Sequence, residues 1–83
     1  MDKHYVVALE WAEGRLYENG TNIIAVTHTF DEASAELVKA ATEERELAKK
    51  LGWRIISDNG YEFNAGSDEE YYMHHSRLFI TEV

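Results

Sequence analysis

The chain has no cysteine, no proline, only five glycines, and eight Lys and Arg against sixteen Asp and Glu. Without cysteine there is no disulfide framework and no thiolate for metal or redox chemistry, which fits a reducing compartment. Without proline there is no slow prolyl isomerisation, and Gly, Asn and Asp remain as the turn formers. The glycines are dispersed, so no glycine-rich phosphate loop exists, and Ser34, Ser57, Ser67 and Ser76 all lack a Gly-x-Ser-x-Gly setting. No apolar run approaches the roughly 18 to 20 residues that span a bilayer. The opening Met1-Asp2-Lys3-His4 leads directly into an alternating pattern, unlike the basic start and apolar block of a signal peptide. A cytoplasmic protein is the expectation.

The scarcity of positive charge leaves a net charge of −8 on 83 residues. Such a field repels nucleic acid and membrane surfaces and attracts basic protein surfaces. At 45% hydrophobic residues with ten aromatics, the composition is that of a folded chain, since disordered acidic segments are poor in both. The length predicts one domain over residues 1–83, burying about 60 to 65% of its unfolded surface.

From His4 to Ala12 the residues alternate, with Tyr5, Val7, Leu9 and Trp11 on one face of a strand. Asn19-Gly20 is a hairpin dipeptide. Asn22 to Phe30 reads as a second strand, with Ile24, Val26, His28 and Phe30 sharing one face. Arg15 to Glu18 either adds a short strand before the turn or belongs to it. Thr29 with Glu32 fits a capping box, Asp31 being an alternative N-cap, and helix formers run to Leu51 before Gly52. Ala33, Leu37, Ala40, Ala41, Leu47, Ala48 and Leu51 share the apolar side of this helix. Trp53 to Ser57 is the third strand, Asp58-Asn59-Gly60 a turn, Tyr61 to Phe63 a short strand, Asn64 to Glu70 a polar loop, and Tyr72 to Glu82 the last strand. The order ββαβββ predicts an α+β domain with one long helix on a mainly antiparallel sheet of four to five strands.

Glu32, Glu36, Lys39, Glu43, Glu46 and Lys50 form a solvated stripe. Glu44 instead falls in the middle of the apolar face, where a carboxylate needs a partner such as Arg54 or Arg77, or an escape to water. His74 and His75 point to opposite sides of a strand, and no helical His-x-x-x-His pair exists, so neither a metal nor any other cofactor is expected. His28 on an inner strand face is expected to be a packed core histidine. A chain this short also leaves little room for a substrate cavity of roughly several hundred Å³. No catalytic residue is assigned.

The remaining constellation is Glu62, Asp68, Glu69 and Glu70, with Tyr71 and Tyr72 following at once. Tyrosines beside carboxylates suit a protein interface, because tyrosine anchors and the acids steer toward Arg and Lys. Carboxylates in a row also resemble the phosphates of a nucleic-acid strand. In size and composition the chain resembles small inhibitors made by phages and mobile elements, anti-restriction and anti-CRISPR proteins among them, although no family motif is present. That resemblance implies a non-enzymatic module, monomeric or weakly dimeric, which occupies a basic nucleic-acid-binding surface of a partner without itself binding nucleic acid or membrane. Two other readings are an assembly protein pairing through the exposed edge of its long terminal strand, and a small enzyme or metal binder using Glu44 or a histidine.

Overall fold

The helix starts and stops where its backbone groups find partners. In the computed structural model, which describes residues 3–13, 18–67 and 75–83, α1 spans Phe30–Leu51. The Glu32 amide donates to Thr29 Oγ1 at 3.1 Å, and the Thr29 hydroxyl donates to the Glu32 carboxylate at 3.0 Å. This closes the capping box with Thr29, not Asp31, as N-cap. At the other end Gly52 takes φ 73°, a left-handed conformation that costs glycine little, and the Trp53 amide bonds the Ala48 carbonyl. Twenty-two residues make a rod about 33 Å long.

Five strands accompany it: β1 (Tyr5–Glu13), β2 (Glu18–Thr27), β3 (Arg54–Asp58), β4 (Glu62–Gly66) and β5 (His75–Glu82). They form one antiparallel sheet in the order β2-β1-β5-β4-β3, with the helix packed on one face. The expected α+β architecture is therefore the one observed. The helix connects the two edge strands, and the chain then winds back as a β3-β4-β5 meander to the middle of the sheet. The terminal strand β5 is thus paired on both sides, with β1 and with β4. It offers no exposed edge, contrary to the expectation for an assembly protein; the edges are β2 and β3.

Several local readings are corrected. Asn19-Gly20 is not a turn but lies within β2, opposite Ala12 and Trp11. A Cβ at Gly20 would stand 2.7 Å from the Trp11 ring, so glycine is there because the indole lies across the strand. Residues 14–17, which join β1 to β2 in sequence, lie outside the described residues, and with them most of the Arg15 to Glu18 stretch. β2 ends at Thr27, and Phe30 already belongs to the helix. A bulge at Ile24 sets Val7 opposite Ala25 and Ala8 opposite Ile23, so the simple alternation fails there. Ala25, not Ile24 or Val26, packs on the core. His28 sits exposed beyond the strand, its ring 5.1 Å from that of His4, and is no core histidine. Asn64, Ala65 and Gly66 continue β4 instead of opening a loop.

The core is thin and built from small residues. Ala33, Leu37, Ala41 and Ala48 of the helix meet Val7, Phe63, Ala65 and Leu78 of the sheet, with Tyr5, Leu9 and Ile80 packed around them. The alanines, Ala48 near the helix end among them, let the helix approach the sheet closely. Leu47 and Leu51, expected inside, are 41% and 53% exposed. They face a cleft at the helix C-terminal end, where the sheet does not close against them.

Candidate functional site

Of the six residues expected to bind a partner, Glu62 is the one the structure describes; Asp68, Glu69, Glu70, Tyr71 and Tyr72 lie outside the described residues. Glu62 stands on the sheet face away from the helix. Ser57 Oγ donates to its Oε1 at 2.9 Å, and Arg77 Nη2 and Nε reach its Oε2 at 3.0 and 3.2 Å. The Ser57 hydroxyl, and next the Arg77 guanidinium, hold the Glu62 carboxyl below its usual range. Arg77 also lies 4.9 Å over the Phe79 ring, a cation–π arrangement. Glu62 therefore clasps three adjacent strands, β3, β4 and β5, and its charge is compensated within the fold.

Two further cations are engaged in the same way. Arg45 forms a two-point pair with Asp58 at 2.7 and 2.8 Å, tying the helix to β3 and lowering the Asp58 pKa. Lys3 pairs with Glu82 at 3.2 Å. Nothing in the local pattern announces Arg45–Asp58, because its partners are thirteen residues apart in different elements. The same holds for the Ser34 hydroxyl, which donates to the Gly60 carbonyl at 2.7 Å and pins the helix start to the β3-β4 turn. Asp31, Glu32, Glu43 and Glu46 remain displayed in the exposed surface of α1.

Glu44 finds neither Arg54 nor Arg77. The Ser76 hydroxyl donates to its Oε2 at 2.9 Å across the helix–sheet interface, in a half-buried setting. The pair lines a cleft of about 560 Å³ whose apolar walls include Leu9, Trp11, Leu47 and Trp53. The volume is that of a half-open cleft and not of an enclosed cavity; it arises because the helix overhangs the sheet without filling the space beneath it. His75 is hydrogen-bonded to Asn64 across the β4-β5 pair. Among the described residues, no three His, Asp or Glu side chains converge as metal ligands, and no described helix is long and apolar enough to cross a membrane.

Among the described residues, the second face of the sheet carries no helix. Cross-strand register places Ile23, Ala8 and Phe79 in one row, and Val26, Val6 and Thr81 in the next. Ile23 and Val26 are 62% and 60% exposed. The chain thus shows solvent an apolar strip at one sheet edge and carboxylates along its helix. Compared with protein-family models, with curated proteins and with solved structures, the chain matches none.

Proposed function

We propose that this chain is a non-enzymatic binding module that occupies a basic, nucleic-acid-binding surface of a partner protein, in the manner of small phage or mobile-element inhibitors. The observation that carries the reading is how its charge is distributed. Lys3, Arg45 and Arg77 are taken up by Glu82, Asp58 and Glu62. The surplus acids, including Asp31, Glu32, Glu43 and Glu46, are left to solvent on α1. Glu43 and Glu46, three residues apart, are separated by about 4.5 Å along the helix axis, a spacing of the same order as that of backbone phosphates. The Asp68-Glu69-Glu70 run followed by Tyr71-Tyr72 adds charge and anchoring aromatics of the kind found at interfaces.

The test is affinity capture from a cell extract at two salt concentrations, followed by kinetics on the captured partner. Capture of nucleic-acid-binding proteins, weakened by salt, supports the reading, because the screening length falls from about 10 Å at 0.1 M to about 3 Å at 1 M. Neutralising Asp68, Glu69 and Glu70 to Asn and Gln should slow association, whereas Tyr71→Ala or Tyr72→Ala should speed dissociation. Tight binding of DNA or RNA by the isolated chain would overturn the proposal.

A further inference from the structure

The two edges of the sheet are not alike. β3 is five residues long, begins with Arg54 and ends with Asp58, is interrupted by a bulge, and is held to the helix by Arg45. Charged, short and bulged edges resist pairing with another strand. β2 is ten residues long, and from Asn19 to Phe30 the sequence has no Asp, Glu, Lys or Arg, in a chain that is 29% charged. Among the described residues β2 pairs with β1 alone, so alternate residues turn their N–H and C=O groups outward. The bulge at Ile24 divides this edge and leaves Glu18 to Ile23 as its longer regular stretch.

Each side of the edge has its own chemistry. On the open face Ile23 and Val26 are exposed. On the helix side Ile24 and Ala40 floor a shallow groove bordered by Glu36, Glu43 and Lys39, two carboxylates against one ammonium. A strand laid along β2 would place alternate side chains on these two sides. Those on the open face would cover Ile23 and Val26, and those on the helix side would meet Glu36 and Glu43. A second copy of the chain does not suit this edge. It would bring two molecules of net charge −8 together and set the Glu36 and Glu43 grooves of two helices side by side, which like charge disfavours.

We infer that β2 is a strand-addition site for an extended segment of a partner protein in which basic and apolar residues alternate. This rests on the reading above that the partner is basic, and it names the element of that partner that docks. Backbone pairing supplies the affinity, and the two-sided pattern of side chains supplies the selectivity.

The experiment titrates the protein with three probes and follows them by fluorescence anisotropy and by amide shifts and exchange. The first is an alternating Lys-Val peptide of about ten residues, long enough to run the length of β2. The second is the same peptide N-methylated at alternate backbone amides. The third is a lysine oligomer of equal charge. The alternating peptide should bind about tenfold or more tightly than its N-methylated form, because several backbone hydrogen bonds are lost on methylation. Its binding should slow exchange of amides within 19–27, and the double variant Glu36→Gln/Glu43→Gln should weaken it several-fold. Equal binding of all three probes, with no protection in β2, would overturn strand addition while leaving the basic-partner reading intact. Absence of binding by any probe at low salt would count against both. Sedimentation showing a dimer of the free chain that the peptide cannot dissociate would assign the edge to a second copy and overturn the proposal.

Discussion

Truncating three leucines of one helix tests the packing with a built-in control. Leu37, Leu47 and Leu51 all lie on the side of α1 that the sequence pattern marks as apolar, yet Leu37 is 1% exposed whereas Leu47 and Leu51 are 41% and 53% exposed. Leu→Ala removes three carbons, worth about 2.4 kcal/mol when fully buried, at about 0.8 kcal/mol each. At Leu37, enclosed among Val7, Phe63 and Leu78, a residual cavity adds to this, giving about 3 to 5 kcal/mol. At Leu51 only about half of the transfer contribution applies, no cavity is enclosed, and alanine is the slightly better helix former; about 1 kcal/mol is expected. A domain of 83 residues has roughly 4 to 12 kcal/mol of stability in all. Urea unfolding followed by circular dichroism, with a slope of about 1 kcal/mol/M, should therefore move the midpoint by about 3 M or more for Leu37→Ala and by about 1 M for Leu51→Ala. Equal losses for the two, or a loss below about 1 kcal/mol at Leu37, would show that the helix is rotated from the orientation described.

Three further outcomes follow from particular contacts. Gly20→Ala should cost about 1 to 3 kcal/mol, since its Cβ would meet the Trp11 ring at 2.7 Å and push it aside; a shifted tryptophan emission should accompany the loss. Asp58 and Glu62 both titrate below their ordinary range, by virtue of Arg45 for the first and of Ser57 and then Arg77 for the second. A lowered folded pKa means stability that is present above the unfolded carboxylate value near pH 4 and lost as the pH falls through the folded one. Glu62→Gln should accordingly flatten the acid limb of a pH–stability curve while leaving its slope above about pH 7 unchanged. Ser76→Ala should cost about 1 kcal/mol by removing the donor to Glu44, measured against the near-neutral Glu44→Gln, which keeps an acceptor oxygen at that place.

What the sequence made legible is local, and what it hid is not. Thr29, Glu32 and Gly52 mark the helix ends because a capping box and a left-handed cap are satisfied within a few residues. The Asp58-Asn59-Gly60 turn is legible for the same reason: the Asn59 side-chain oxygen accepts from the amides of Tyr61 and Glu62, and Gly60 takes φ 90°. Asn19-Gly20 misleads because its turn preference is weaker than the demand of Trp11, nine residues away in sequence but directly opposite on the neighbouring strand. Ile24 breaks the alternation by a bulge, which no spacing rule reveals before the partner strand is known. Glu62 reads as one of a run of free acids, yet Arg77, fifteen residues on, neutralises it across the sheet. Glu44 reads correctly as anomalous, but its partner turns out to be the hydroxyl of Ser76, thirty-two residues away.

The same topology explains why so acidic a chain leaves one neutral edge. Sending α1 from one edge strand to the other covers a single face of the sheet, and the returning meander places the last strand in the middle. Of the strands that gain two neighbours, β4 and β5 are clasped by the pair that consumes charge between them, Arg77 with Glu62. β3, at one margin, is protected by Arg45. β2 is left at the other margin with Ile23 and Val26 on the open side and Glu36 and Glu43 beside it on the covered side. On the proposed reading, global negative charge would keep copies of the chain apart although β2 carries no charge beyond Glu18. On the same reading, a basic partner would cancel that repulsion on approach and reach an edge that the chain's own copies, alike in charge, would avoid.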